Sequence, residues 1–307
     1  MAVSAMKRSV WISFAALCLL SASAWLAEPL GASTLPSLER QALLYLVLGL
    51  AALLLSIGKP SSRIRQQPWA RVALASLGFF GIPAAAIQFA SGAVPEINRS
   101  ALFAMVPIVV AVALSAVETT EPAEHAARRS LAPALVGLAG LLLLLPLSFS
   151  NSARGDAMVA VVCAAVIMVG IASVWLYRML PQFELSDAVA LACLANAAFL
   201  LICACASGAV VWDRGSLLSL LSLPSLLPSL VDVAEVLLLL WLLRAMPPVQ
   251  FAARYLVIPL LTVLEGYILM RPPLTIRIGA GAVLLAMGAG MLLLRHPAEE
   301  EAALSLR

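Results

Sequence analysis

Long apolar stretches run through this chain, and short polar segments separate them. A transmembrane helix needs roughly 20 mostly apolar residues, and ten stretches of the chain meet that requirement. No segment between them is long enough to hold a soluble domain. The pattern therefore predicts an all-α integral membrane protein with about ten transmembrane helices. The predicted spans are 10–27, 41–57, 70–90, 95–117, 131–149, 157–177, 187–208, 222–243, 250–270 and 275–294.

The composition agrees with a membrane protein and also predicts its orientation. The chain is 63% hydrophobic and 11% charged, whereas soluble domains are about 25% charged. Cytoplasmic termini would place thirteen Lys and Arg residues, Arg254 among them, in cytoplasmic segments. Six others, including Arg40 and Arg99, would lie on the opposite side. The positive-inside rule favours this arrangement. No basic patch with interleaved aromatic residues indicates a nucleic-acid partner.

One segment with a central proline occurs twice, 152 positions apart. The first copy, AVPEINRSALFAMVPIVVAVALSAVE, starts at Ala93, and the second, AMPPVQFAARYLVIPLLTVLEGYILM, starts at Ala245. This offset predicts two repeats of five spans, 1–152 and 153–307. Because five is odd, the two repeats enter the membrane from opposite sides and are inverted. Inverted repeats are typical of transporters, in which a substrate site forms between the repeats.

Several positions match between the two copies. The equivalent prolines suggest a kink or pivot in each repeat, although proline is also simply common in membrane helices. A second echo, ASAWL and ASVWL, pairs two tryptophans at an offset of 150. The matched pairs are Phe103 with Tyr255, Asn98 with Gln250, Pro107 with Pro259, and Trp25 with Trp175; further prolines inside spans are Pro83, Pro224 and Pro228.

These features resemble the drug/metabolite transporter superfamily, specifically its EamA-like members. The third and fourth spans, WARVALASLGFFGIPAAAIQFASGAVPEINRSALFAMVPIVVAVALSAVE, have the family's aromatic–small run, then a proline, then a terminal Glu118. The second half repeats the order in AARYLVIPLLTVLEGYILMRPPLTIRIGAGAVLLAMGAGMLLL. The departures from the family pattern are Met270 and Arg271 in place of the second glutamate, and Glu96, Asn98 and Arg99 where the family is small and apolar.

The resemblance implies a secondary carrier in the cytoplasmic (inner) membrane that works by alternating access. Such carriers often export small metabolites, amino acids or drugs, so the implied partners are a small-molecule substrate and the lipid bilayer. Two alternatives stay open. One is a flippase for a lipid-linked substrate, and the other is a membrane-embedded enzyme or scaffold.

Three carboxyl groups inside spans are the strongest candidates for function. Asp232 and Glu235 lie three residues apart on one face of the eighth span, and Glu265 lies in the ninth. A charged side chain at the centre of a membrane helix costs about 2.5–3.5 kcal/mol. No basic residue lies at similar depth in the adjacent spans, and an unpaired carboxyl in such surroundings favours its protonated form. We expect these groups to bind protons or a cationic substrate group, or alternatively to tie helices together.

Other polar residues are weaker candidates. Glu96, Asn98 and Arg99 begin the fourth span, where Arg99 could meet an anionic substrate group or form an outer gate with Glu96. A solvent-exposed ion pair is the simpler interpretation. Aromatic residues could instead anchor helices at the membrane interface. The candidates for lining a cavity are Gln88, Asn196, Thr262, Tyr255, Tyr267, Trp25 and Trp175.

The chain carries none of the common signatures of an enzyme or a cofactor site. We find no GxSxG, HExxH or phosphate-binding loop, and neither His125 nor His296 has a second ligand at metal spacing. The five cysteines form no disulfide framework or metal motif. We therefore expect no catalytic residues, metal or cofactor. The small residues Ala282, Ala286 and Gly290 predict a packing face on the last span, either inside a monomer or in a homodimer.

Overall fold

A computed structural model describes residues 2–24, 37–57, 68–117, 121–145, 152–208, 223–271 and 275–294. This part of the chain is 90% helical and contains no strand. The helices are α1 (Ala2–Ala22), α2 (Ser37–Ser56), α3 (Trp69–Ala90), α4 (Glu96–Val117), α5 (Glu121–Leu144), α6 (Ala153–Gln182), α7 (Leu185–Ala206), α8 (Leu223–Ala245), α9 (Pro248–Met270) and α10 (Ile276–Leu293).

Seven helices in the described ranges are long and apolar enough to cross a membrane: α2, α3, α4, α6, α7, α9 and α10. The prediction of an all-α membrane protein is confirmed at this level. Two other helices contribute shorter apolar stretches, Arg8–Ala22 in α1 and Arg129–Leu144 in α5. The full count of ten spans stays a prediction.

The helices cluster into two units, and each unit takes one segment from each half of the chain. Unit 1 comprises Met1–Gln88 and Trp175–Ala245, and unit 2 comprises Phe89–Val174 and Met246–Arg307. Unit 1 therefore contains α1, α2, most of α3, α7 and α8, whereas unit 2 contains α4, α5, most of α6, α9 and α10. The repeats predicted at 1–152 and 153–307 are a different division, which stays a prediction.

Unit 1 is built on the close packing of α2 against α7. A Cβ at Gly49 of α2 would lie only 3.0 Å from the backbone nitrogen of Leu194. Such an approach requires a glycine, because side chains would hold the two backbones apart. Apolar residues of both helices, including Ala42 and Leu200, are buried around this contact. Helices α1 and α8 also pack against each other within this unit.

Unit 2 is built on an equivalent packing of α5 against α10. Gly140 meets Leu285, and Gly137 meets Gly288, so residue numbers fall along α5 as they rise along α10. The two helices therefore run antiparallel. A Cβ at Gly140 would lie 2.4 Å from the Leu285 nitrogen. The backbones are thus in direct contact.

The face predicted for the last helix was wrong as a packing face inside a monomer, and the homodimer alternative stays a prediction. The buried small residues of α10 are Gly281, Gly288 and Ala289, whereas Ala286 is exposed and a Cβ at Gly290 would meet nothing within 4 Å. The actual face is rotated by about one residue, or roughly 100° on an α-helix. The reason is that α10 is small and apolar on every side, so its sequence contains little periodicity from which to choose a face.

Helices α4 and α9 are interrupted at similar places. Each begins after a proline in an extended conformation, Pro95 (φ −55°, ψ 146°) and Pro247 (φ −54°, ψ 141°). A turn at Ala104 and Met105 then divides α4, and a turn at Ala253 divides α9. Pro107 and Pro259 follow these turns rather than occupying them. Their role as hinges stays a prediction.

Candidate functional site

An ion pair joins two helices of unit 1. Arg40, in the first turn of α2, approaches Asp232 of α8 with 3.3 Å between Nη2 and Oδ2. The side chains are 34% and 37% exposed. The pair is therefore accessible enough to open, and it presents a positive and a negative group at the same place.

A second carboxyl and a buried phenol extend this pair into what we call the end cluster: Ser21, Arg40, Tyr45, Asp232 and Glu235. The Ser21 hydroxyl donates a hydrogen bond to the Glu235 carboxylate. Tyr45 is 3% exposed, and it interacts electrostatically with Asp232 and Glu235. With Arg40, Asp232 and Glu235 ionised and Tyr45 neutral, the end cluster carries a net charge of −1, which favours binding of a proton or a cation.

The end cluster corrects one expectation from the sequence. Asp232 has a basic partner, because Arg40 is a helix residue rather than part of a loop. The predicted topology contained a usable signal, since α2 and α8 begin on the same side of the membrane. A long arginine side chain near the start of α2 can then reach a carboxyl deeper in α8. The fully buried Glu39 was also missed, because it adjoins a predicted boundary.

A second polar site lies near the middle of α3 and α7. Asn196 of α7 is fully buried. Its Nδ2 donates to the Ala192 carbonyl (2.7 Å) and, at 3.4 Å, to the Ser76 hydroxyl of α3. Its Oδ1 accepts no hydrogen bond from any described residue. That oxygen is packed against Gly81, where a Cβ would lie 2.6 Å away.

Helix α3 changes its hydrogen-bonding register beside this asparagine. Residues Leu77–Gly81 form a π-helical segment, in which the Ile82 N–H bonds to Leu77 O, five residues back. Pro83 explains the change, because it has no N–H to continue the α-helical ladder. We call Leu77–Gly81 the π segment. Insertions of this kind occur frequently at functional sites.

The aromatic pair matched by the repeats lies in unit 2. The rings of Phe103 and Tyr255 stack with centroids 6.1 Å apart and an interplanar angle of 24°. The Arg254 guanidinium lies over the rings of Phe251 (4.1 Å) and Tyr255 (4.6 Å), and Nη2 donates to the Tyr255 hydroxyl (2.7 Å). Cation–π contacts of this kind are stronger when the cation is desolvated.

Arg254, which the sequence analysis counted in a cytoplasmic segment, is a buried helix residue, and its side of the membrane stays a prediction. Its side chain is 5% exposed and lies inside unit 2. The count of basic residues remains thirteen against six. The cytoplasmic orientation of both termini is still favoured and stays a prediction. In a sequence, an arginine near a helix end is interpreted as an indicator of membrane orientation, whether its side chain is buried or solvated.

The remaining predicted residues are dispersed. Glu265 lies half-buried in unit 2, whereas Asp232 and Glu235 belong to unit 1. Thr262 donates to its own helix at the Ile258 carbonyl (3.0 Å). Trp25 and Glu118 lie outside the described residues. Asn98 and its repeat partner Gln250 are buried, and Arg99, Tyr255 and Tyr267 are half-buried. Glu96, Trp175 and Gln88 are exposed. The side chain of Gln88 accepts a hydrogen bond from Ser37.

Within the described part of the chain, no three His, Cys, Asp or Glu side chains converge on a possible metal position. No family model and no curated protein matches the chain. A solved structure, "Crystal structure of protein", is similar over 94% of this chain and 98% of its own length, with a TM-score of 0.67 and 18% sequence identity. At that identity the likeness shows a shared fold alone.

Proposed function

We propose that this chain is a secondary transporter of the drug/metabolite type. It exports a small organic metabolite across the cytoplasmic membrane by alternating access. In this proposal ten helices form two inverted five-helix repeats with both termini in the cytoplasm. The transport cycle is driven by an ion gradient, with protons as the candidate coupling ion.

The stacking of Phe103 on Tyr255 is the observation that carries the proposal. These residues are equivalent in the two repeats, 152 positions apart, and their rings touch. Two equivalent residues contact each other only when they lie next to the symmetry axis that relates them. The contact therefore supports a two-fold axis between α4 and α9. The interruptions in both helices add support, because discontinuous helices commonly form transporter binding sites.

The closest helix pairs give independent support for inverted repeats. Helix α2 packs against α7, and α5 packs against α10, and in each pair the two helices are five apart in chain order. Equivalent helices of five-span inverted repeats must run in opposite directions. The antiparallel glycine contacts of α5 with α10 fit that requirement.

We assign proton coupling to carboxyl groups in both units. Asp232 and Glu235 share the end cluster with Arg40, so protonation of either carboxyl would change its net charge. Glu265 lies in α9 beyond Pro259, on the interrupted helix. A carboxyl that alternates between protonated and ionised forms can link a proton gradient to a conformational change.

The test is a comparison of metabolites outside cells that overexpress the wild-type chain, Glu265→Gln or Asp232→Asn. The matched control is Asp156→Asn, which removes an exposed carboxyl from the first turn of α6. We expect one compound to accumulate with wild type and Asp156→Asn but not with the other two variants. Full activity in Glu265→Gln and Asp232→Asn would overturn proton coupling. A profile identical to that of the empty vector would count against export.

A further inference from the structure

The carbonyl oxygen of Gly78, inside the π segment, lacks a partner in the backbone ladder. In an α-helix this oxygen would accept from Ile82 N–H, which instead bonds to Leu77 O. In a continued π register it would accept from residue 83, but Pro83 has no N–H. Gly78 is buried. A buried carbonyl without a donor costs about 1–3 kcal/mol.

The side-chain oxygen of Asn196 lies beside the same segment. Its Oδ1 is buried and accepts no hydrogen bond from the described residues, and it is packed against Gly81. Helix carbonyls point toward the C-terminal end, so the Gly78 oxygen is directed toward the turn that contains Gly81. Asn196 Oδ1 and the Gly78 carbonyl, which has no partner in the backbone ladder, therefore both lie along the π segment. The Ser76 hydroxyl, 3.4 Å from Asn196 Nδ2, adds a third oxygen nearby.

The π segment packs against a residue of the end cluster. Phe80 of the segment packs edge-to-face on Tyr45, with ring centroids 6.0 Å apart. Acceptor oxygens favour a cation over an anion. Neutral amide, carbonyl and hydroxyl oxygens are hard ligands, and unwound backbone carbonyls coordinate Na⁺ in other transporters.

We infer that the π segment and Asn196 form a binding site for Na⁺, with Asn196 Oδ1 and Gly78 O as ligands and Ser76 Oγ beside them. The site lies near the middle of α3 and α7, at the depth where coupling ions bind in transporters with inverted repeats. Na⁺ binding does not depend on the proposed function. A role for Na⁺ in coupling does rest on it, and would add a second cation to the proton.

The test uses the full chain purified in detergent. Its thermal unfolding is followed in NaCl, KCl and choline chloride at equal ionic strength, and binding of ²²Na⁺ is measured directly. We expect the melting temperature to rise with Na⁺ concentration, because a ligand that binds only the folded state stabilises it. Binding of ²²Na⁺ should be saturable and should not be displaced by an equal concentration of choline.

Three variants locate the site. Asn196→Ala removes one ligand and should abolish the Na⁺-dependent shift. Pro83→Ala restores an N–H and allows α3 to return to the α-helical register, so that Ile82 N–H bonds to Gly78 O. We expect this variant to bind ²²Na⁺ at least tenfold more weakly. Leu74→Ala removes an exposed side chain from the same helix and should bind Na⁺ like the wild type.

Equal melting temperatures of the wild type in all three salts, together with no saturable ²²Na⁺ binding, would overturn the inference. The two oxygens would then accept hydrogen bonds from water alone. Undiminished binding by Asn196→Ala would overturn it as well. If a variant fails to fold, the wild-type binding measurement still decides whether Na⁺ binds. Saturable binding by a chain that exports nothing would retain the site and remove the proposed function.

Discussion

The ion pair between Arg40 and Asp232 shows how one long side chain can bring opposite charges together inside a helical bundle. Its 3.3 Å contact is a single interaction between one nitrogen and one oxygen. Both side chains remain about one-third exposed, so water or a ligand can compete for them. We therefore expect the pair to stabilise unit 1 only modestly, by about 0.6 kcal/mol, which is typical of polar contacts between membrane helices.

Charge reversal tests whether these two residues interact directly. Arg40→Glu and Asp232→Arg each place like charges in contact, and each should lower the melting temperature of the purified chain. The double variant restores an ion pair with the charges exchanged, so it should recover most of that loss. Additive losses in the double variant would show that the residues act independently. Measuring transport by the wild type, the two single variants and the double variant would separate effects on stability from effects on function.

At the residue level, the sequence predicted the acidic members of the end cluster but not the basic one. Asp232 and Glu235 are conspicuous because charge is costly inside an apolar span. Arg40 was assigned to a boundary, where basic residues usually report orientation. Arg254 was counted as an orientation signal in the same way, although its side chain is buried over Phe251 and Tyr255. Long basic side chains reach several ångströms along a helix, so their position in the sequence does not give the depth of the charge.

At the scale of the helices, glycine contacts decide which faces meet. We predict that Gly140→Ala destabilises the chain, because its Cβ would lie 2.4 Å from Leu285 N and 2.7 Å from Gly281 O. These are backbone atoms, so α5 and α10 would have to separate, at a cost of about 1–3 kcal/mol. Thermal unfolding should show a clear decrease in melting temperature.

The control for that substitution is Gly290→Ala on α10. A Cβ there meets nothing within 4 Å, and alanine is favoured over glycine inside a helix by about 0.5–1 kcal/mol. This variant should be as stable as the wild type or slightly more stable. Similar losses from both substitutions would contradict the observed packing face and restore the one predicted from Ala286 and Gly290.

The sequence predicted some features of the helices and not others. Long apolar runs predicted their existence, because hydropathy is a strong signal over 20 residues. The face of α10 was not predictable, since its residues after Arg277 are all apolar. The π segment was missed although Pro83 is visible in the sequence. A proline always removes one backbone hydrogen bond, but whether the helix bends, breaks or widens depends on neighbours such as Asn196.

At the scale of the whole molecule, the chain halves and the structural units do not coincide. The first half supplies α2 to unit 1 and α5 to unit 2, and each helix packs against a partner from the second half. The offset of 152 positions indicates repetition but cannot say which helices pack together. That information lies in contacts between the halves, such as Gly49 with Leu194 and Gly140 with Leu285.

This exchange between halves predicts the behaviour of a divided chain. Fragments 1–152 and 153–307, expressed separately, should be degraded or aggregate, because α2 and α5 lose α7 and α10. Expressed together from two genes, they should assemble and co-purify through a tag on one fragment. Placing Gly140→Ala in the first fragment should reduce the yield of the complex, whereas Gly290→Ala in the second should not. A first fragment that is monodisperse and protease-resistant alone would show instead that each half folds independently and that the contacts between halves are secondary.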